Sequence, residues 1–446
     1  MTINFPDLML SFVVLSVLLL MGQILRAKIG VLQKIFLPAA VIGGIMGLIL
    51  GPQVVGIIPI PDVASMLPGL LISIVYACIL IAGLPAIKGM FKRLSKFFLF
   101  YIGSLHGIEI ALGMGLVLFV LQKFMPQLPN YIGLMIWTGF YGGHGTAAAM
   151  GAALENLGFE NATGIGMATA TIGLVSGVTF GMVLVNWGIR KGYVKSMNVT
   201  KELPKEVKTG IIPKTKEPNT LGKVFVSPET IDPLACVVAV VGGACAIGLV
   251  LSKVLPLIHP FLKNVPLFVL TMVGGALIRV LMEKGSLGYL FDENASKRVQ
   301  GLALDYLIIA GIATIPLKIV AQYLVPLAIL AVAIWIGLAA FMLFTGPRLL
   351  GDAWFEKMIL IYGTAHGVFA TGLMLLRAVD PQFKTPALLE GGTILAIDQI
   401  TLFVLIVTFA PVLSMSHPTV LFIVPLALVI AVLGASFCGP KRRFRG

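Results

Sequence analysis

Charge is what this sequence has least of. Only 11% of its 446 residues are Asp, Glu, Lys or Arg, against roughly 25% in a soluble globular domain. That scarcity, with 58% hydrophobic residues, excludes a soluble enzyme or binding module. No polar stretch is long enough to fold alone, which excludes a soluble domain on a membrane anchor. Cysteine is scarce too: Cys78, Cys236, Cys245 and Cys438 show no CxxC spacing. This excludes a disulfide frame or a cysteine metal site and leaves small packing residues. The N-terminus lacks the basic n-region and small-residue cleavage site of a removable signal. Asp7 precedes the first apolar run and Arg26 and Lys28 follow it, an order expected of a retained first helix with its N-terminus outside. No nucleophile–base–orienter set is identifiable, so catalysis is not expected. The net charge of +13 comes from short loops and the tail Lys441-Arg442-Arg443-Phe444-Arg445. That matches an anionic cytoplasmic leaflet rather than nucleic acid.

What the chain does have is repeated apolar runs of a length that crosses a hydrocarbon core of about 30 Å. Helices are predicted at about 8–25, 36–50, 64–84, 97–121 and 164–189, then 233–252, one starting at Pro266, 299–317, 320–344, 391–410 and 419–437. Two stretches break the pattern. Tyr141-Gly142-Gly143-His144-Gly145-Thr146-Ala147-Ala148-Ala149 and Tyr362-Gly363-Thr364-Ala365-His366-Gly367-Val368-Phe369-Ala370 lie about half the chain apart. Each reads as a re-entrant or broken helix, at about 131–154 and 358–376, because irregular backbone at membrane depth must be buried in protein or line a cavity. Pro38 with Gly43 and Gly44 is echoed by Pro266 with Gly274 and Gly275.

The predicted fold is therefore an all-α polytopic membrane protein. It has two inverted-topology repeats, each of about five transmembrane helices with a re-entrant hairpin, and one extra C-terminal helix. The first repeat spans 1–189, a cytoplasmic linker 190–232, the second repeat 233–410, and the extra helix with its basic tail 411–446. Charge favours hairpins over full crossings. With hairpins, the basic loops 26–34, 86–96, 190–232 and 283–298 and the C-terminus share one face, and Pro411 to Ser416 fall on the other. Inverted repeats with broken helices are the architecture of many secondary transporters.

Ionisable residues inside spans are costly and mark function by default. Here they are His106, Glu109, His144, Asp305, His366 and Asp398. Asp398, with Thr401, Thr169 and Thr171, makes a hard-oxygen set suited to a sodium ion or a proton; the bland alternative is a neutralised carboxylate in a packed core. Gly143, His144, Gly145 and Thr146, with Gly363, Thr364, His366 and Gly367, make an anion site. Glycine lets a ligand approach peptide N–H groups, and a half-helix start carries about half a positive charge. The alternative is ordinary small-residue helix packing. His144 either touches the ligand or ties the hairpin tip. His106 and Glu109, spaced i, i+3, are expected to form a hydrogen-bonded pair. No metal beyond sodium and no cofactor is expected.

These residues carry a likeness. Gly142-Gly143-His144-Gly145-Thr146, then Gly158-Phe159-Glu160-Asn161-Ala162-Thr163, then Ala168-Thr169-Ala170-Thr171-Ile172-Gly173 resemble the glutamate:sodium symporter family of bacterial inner-membrane transporters. The Ile397-Asp398 stretch is similar to that family's too. The second element lacks the family's Gly-His-x-Gly-Phe-Gly run, and Thr401 stands where the family tends to carry Asn. The resemblance implies sodium-coupled uptake of glutamate or a related small carboxylate by alternating access. It also implies a homodimer, lipid around it, a multi-pass inner-membrane location and a cytoplasmic C-terminus. A proton-coupled or passive transporter, or an exporter of another organic anion, is the alternative.

Overall fold

The computed structural model describes residues 4–34, 37–81, 91–195, 209, 211, 229–259, 262, 265–285, 288, 292–380 and 384–437. Among these, every regular element is a helix. The first half runs α1 (Phe5–Lys28), α2 (Ala39–Leu50), α3 (Leu67–Ile81), α4 (Leu94–Phe124), α5 (Ile132–Phe140), α6 (Gly143–Asn156) and α7 (Ala162–Arg190). The second runs α8 (Pro233–Ile258), α9 (Leu267–Lys284), α10 (Glu293–Ala313), α11 (Leu324–Leu349), α12 (Trp354–Val379), α13 (Ala387–Ile400) and α14 (Leu402–Ser416), with α15 (Val420–Phe437) last. Local chemistry sets several ends. Asp232 caps α8 by accepting from the Leu234 and Ala235 N–H groups, with Pro233 in the first turn, and Asp292 caps α10 through the Ala295 N–H.

Among the described residues seven helices are long and apolar enough to cross a membrane, or eight if the bent pair α13–α14 is one span. This makes the chain a multi-pass membrane protein. α2, with 12 residues, extends only about 18 Å at 1.5 Å per residue. The helix predicted at 391–410 is broken instead. Its axis bends by 43° at Thr401, whose φ of −122° and ψ of −98° leave the helical region. It then continues through Pro411 to Ser416, so 411–416, expected as an external loop, is helical. The linker expected at 190–232 lies mostly outside the described residues, as does the basic tail from 438 onward. At its start, Lys195 Nζ pairs with Asp352 Oδ1 at 2.8 Å and the Lys195 N–H donates to Glu356 at 2.7 Å.

The two halves pack in matched ways. α1 lies on α2 as α8 lies on α9, and each half then trades partners: α9 packs on α3, and α10 on α2. Paired glycines allow both contacts. A methyl at Gly43 would run into the Leu18 carbonyl of α1, and one at Gly274 into the Ala244 carbonyl of α8. One at Gly44 would meet Ile312 of α10, and one at Gly275 the Ala77 carbonyl of α3. In each pair the first glycine faces the preceding helix and the second faces the other half. α15 lies along α4: Val432 and Val429 sit against Gly103 and Gly107, and Phe422 against Gly115.

Candidate functional site

Both glycine-and-histidine stretches fold as a helix, a break and a second helix. In the first, α5 ends at Phe140 and α6 begins at Gly143, whose φ of +63° is a left-handed conformation open to glycine. The stretch doubles back. The Tyr131 ring before α5 lies 4.6 Å from the Phe159 ring beyond α6, whereas a straight helix of that length would hold them about 40 Å apart. The second break falls inside α12, at Gly367 (φ −166°, ψ 39°) and Val368 (φ 63°, ψ 172°). Here too the arms lie side by side: a methyl on Gly363 would come within 2.6 Å of the Gly372 Cα. α7, rich in glycine and alanine, packs against both folded stretches. Gly166 receives the Ala147 carbonyl, and Gly173 the His366 carbonyl.

The two breaks touch. A methyl at Gly143 would overlap Cγ1 of Val368. Beside this contact lies a cavity of about 270 Å³, near the lower end of small-ligand pockets, roughly 300–1,000 Å³. Gly143, His144, Gly145 and Thr146 line it from the first break, and Thr364, Gly367, Val368 and Phe369 from the second. The α3 and α10 side of the lining is largely aliphatic, with Ile72, Val75, Ile79, Leu304 and Ile308, but it also carries Tyr76, whose hydroxyl is hydrogen-bonded with the Thr146 side chain. Two helix starts, at Gly143 and just after Val368, present peptide N–H groups and partial positive charge at the breaks. Two helix ends, at Phe140 and His366, lie beside the same breaks, but neither residue lines the cavity, and the His366 carbonyl sits against Gly173 of α7.

The predicted residues divide. Six of the eight substrate candidates line the cavity; Gly363 and His366 do not. Gly363 packs inside its own hairpin. His366 is fully buried behind it, its Nδ1 donating to the Tyr362 carbonyl at 3.0 Å and its ring 5.5 Å from that of Phe140. His144 lines the cavity and is tied by Nε2 to Thr171 Oγ1 at 3.1 Å. Because the Thr171 hydroxyl donates to the Met167 carbonyl, the imidazole is the donor in that bond, which fixes its Nε2 as protonated.

The cation candidates lie apart. Asp398 is fully buried; its Oδ1 accepts from His106 Nε2 at 2.8 Å and its Oδ2 from the Tyr141 hydroxyl at 2.5 Å. The Tyr101 hydroxyl donates to Tyr141 at 2.8 Å and stands 3.4 Å from the same carboxylate. Gln399 Nε2 donates to Tyr141 at 3.3 Å. The Thr169 hydroxyl donates to the Met135 and Gly166 carbonyls, and the Thr401 hydroxyl to the Ile397 carbonyl. Among the described residues no group of three or more His, Cys, Asp or Glu could hold a metal ion.

The expected His106–Glu109 pair does not form. His106 sits in a π-helical stretch, Gly103–Ile108, where the wider turn moves i, i+3 neighbours off one face and brings i, i+5 neighbours together. Tyr101 and His106, five apart, both reach Asp398, while both carboxyl oxygens of Glu109 are buried with no hydrogen-bond partner. The sequence reading missed Tyr101, Tyr141 and Gln399. Tyr141 was visible as the first residue of its motif and Gln399 as the neighbour of Asp398. Nothing in the sequence alone marks the π stretch.

Compared with known proteins, residues 5–385 match the family model described as sodium/glutamate symporter. No curated protein and no solved structure matches. Asp398, Thr401 and α15 lie beyond the matched segment.

Proposed function

Because the chain belongs to the sodium/glutamate symporter family, we propose that it is a secondary active transporter that couples sodium entry to uptake of glutamate or a related small carboxylate. The observation that carries this reading is the meeting of both broken helices at one cavity. Each of two helix starts can stabilise an anion by up to about 2 kcal/mol where partly buried. The carbonyl ends beside them offer oxygens to a cation. In this reading Gly143, His144, Gly145, Thr146, Thr364 and Gly367 hold the solute, and Gly363 and His366 support the second tip. Asp398 sets the charge behind Tyr141 for the cation, and Thr401, Thr169 and Thr171 remain the candidate hydroxyls for it.

The doubled-back arms support re-entrant hairpins. The reciprocal packing of α2 with α10 and α9 with α3 supports two inverted repeats, 1–189 and 233–410, joined by a cytoplasmic segment at 190–232. Alternating access, a homodimer, an inner-membrane location and a cytoplasmic C-terminus complete the proposal, resting on the family and on loop charge. A second reading, coupling to protons, draws on the buried His106–Asp398 pair, an intramembrane ionisable pair of the kind found in proton paths. Purified protein in proteoliposomes should take up a labelled small carboxylate when sodium is imposed outside. Uptake driven by a pH gradient and indifferent to sodium would select the second reading. Absence of uptake of amino acids and dicarboxylates under either gradient would refute both.

A further inference from the structure

The polar groups around the cavity are sorted by what they can still bond. On the α3 and α10 side Tyr76 is the one polar side chain among the described lining residues. Its ring packs on Phe268 of α9 and Phe403 of α14, with centroids 4.8 Å and 6.4 Å away, so the phenol has a set direction. Its hydroxyl meets the Thr146 side chain in the first turn of α6, and both residues are buried. A bond between two hydroxyls uses one of their two protons and leaves the other for an acceptor. With the N–H groups of the α6 start beside it, this corner donates. The corner at Gln399, Tyr141 and Thr364 accepts. Gln399 Nε2 donates to the Tyr141 hydroxyl at 3.3 Å, which leaves its Oε1. The Thr364 proton goes to the Leu360 carbonyl at 2.8 Å, which leaves its lone pairs. Asp398, 2.5 Å from the Tyr141 hydroxyl, adds negative charge behind them.

Resting on the transport reading above, we propose that Tyr76 is a specificity-determining residue that binds the side-chain carboxylate of an acidic amino acid. An ammonium group needs acceptors and gains from a nearby negative charge, so the amino end of the solute lies at Gln399, Tyr141 and Thr364. Its α-carboxylate then takes the N–H groups of the helix start at Phe369. The side-chain carboxylate falls in the donating corner, where it accepts from the Tyr76–Thr146 hydroxyl pair and from the α6 start. Among the described residues no Lys or Arg lines the cavity, so this carboxylate is held by neutral donors. Remove the Tyr76 hydroxyl and the α3 and α10 side keeps only aliphatic side chains. A carboxylate would lose hydration there without a replacement donor from that side, which is costly. A solute with a methyl in its place would lose nothing.

The experiment titrates the purified full-length protein and Tyr76→Phe with L-glutamate and with L-norvaline, in which a methyl replaces the side-chain carboxylate, reading affinity from thermal shift in saturating sodium. Wild-type protein should prefer glutamate. Tyr76→Phe should weaken glutamate by about ten- to a hundredfold, the worth of a hydrogen bond to a charged group, and leave norvaline and the unliganded Tm nearly unchanged. Should that variant not fold, Thr146→Val removes the other hydroxyl of the pair and should shift the same ratio in the same direction. Equal loss for both solutes would mean that Tyr76 only shapes the cavity, and no loss would mean that it lies off the solute; either overturns the inference. Sodium-driven uptake of another small carboxylate, with no binding of glutamate or other dicarboxylates, would also overturn it and leave the transport reading standing. No uptake of any amino or dicarboxylic acid into proteoliposomes under a sodium or a proton gradient would overturn the transport reading itself.

Discussion

Replacing Gly143 by alanine tests whether the contact between the two breaks builds the site. Two effects add. Gly143 has φ +63°, and a residue with a Cβ held in the left-handed region costs roughly 1–2 kcal/mol. The new methyl also overlaps Val368 Cγ1, and overpacking of this kind costs roughly 1–3 kcal/mol. If the solute binds only when the tips meet, roughly 2–5 kcal/mol is lost from binding. At about 1.4 kcal/mol per tenfold, this weakens affinity by about 30-fold to a few thousand-fold. Gly158 supplies the control. Its φ is +96° and nothing lies within 4 Å of an added methyl, so Gly158→Ala carries the conformational cost alone, away from the cavity. The assay is solute affinity from uptake KM and from ligand-induced thermal shift, with unliganded Tm as the stability readout. Gly143→Ala should raise KM far more than Gly158→Ala does. Adding Val368→Ala to Gly143→Ala should recover the overlap share but not the backbone share. Equal KM values for the two glycine variants, or no recovery on trimming Val368, would refute the tip-to-tip reasoning.

Other perturbations reach different parts of the structure. Asp398→Asn keeps shape but removes the charge that His106 and Tyr141 share; cation dependence of uptake should fall while the purified protein stays folded, and an unchanged sodium response would remove Asp398 from coupling. Tyr141→Phe deletes the 2.5 Å bond to Asp398 and should cost roughly 1.5–3 kcal/mol, the range for a hydrogen bond to a charged group, read as a lowered Tm. Lys357 Nζ meets Glu390 Oε2 at 2.8 Å with both side chains buried. Lys357→Met should destabilise by roughly 3–5 kcal/mol, and Lys357→Met with Glu390→Leu should regain most of it; a double variant no better than the single one would mean that the lost charge is not what hurts. Single cysteines at the exposed Gln127 and Glu160 should be labelled by an impermeant maleimide from one face of the membrane, and cysteines at Asp352 and Lys384 from the other face. Labelling of 127 and 160 from opposite faces would rule out a re-entrant first element.

Seven spans and both broken helices were legible because each leaves a one-dimensional trace. An apolar run of sufficient length admits few alternatives, and glycine, histidine and threonine inside such a run conflict with a plain spanning helix. What was not legible depends on three-dimensional register. Asp398 and His106 lie far apart in sequence, and nothing local says that the carboxylate prefers an imidazole and a phenol to a set of threonine hydroxyls. The threonines themselves were ambiguous, since a hydroxyl in a helix can always bond its own turn, as those of Thr169, Thr171 and Thr401 do. The i, i+3 reading of His106 and Glu109 assumed an α-helix, and the π stretch at Gly103–Ile108 rotates the two residues apart. The break at Thr401 carries no glycine or proline to announce it. His366 matches His144 in its motif, yet it is buried behind the tip because the second break falls one residue after it rather than before it.

That difference in where the breaks fall bears on coupling. In the first element the break precedes His144, so the imidazole rides on the helix that presents N–H groups to the cavity. In the second it follows His366, which belongs to the arm that ends in carbonyls, and the arm after it starts with Val368 and Phe369 at the cavity wall. Both elements therefore place a positive helix start and a negative helix end within a few residues of each other. A lone anion there feels the carbonyl ends as repulsion, and a lone cation feels the N–H ends in the same way. Bound together at about 4 Å they attract by roughly 4 kcal/mol at an effective dielectric near 20, close to a thousandfold in affinity. By linkage the gain is mutual: each ligand raises the affinity for the other by the same factor. On the proposed transport reading, a site built largely from helix ends would favour the ion pair over either ligand alone, and coupling would follow without a dedicated side-chain cation for the anion.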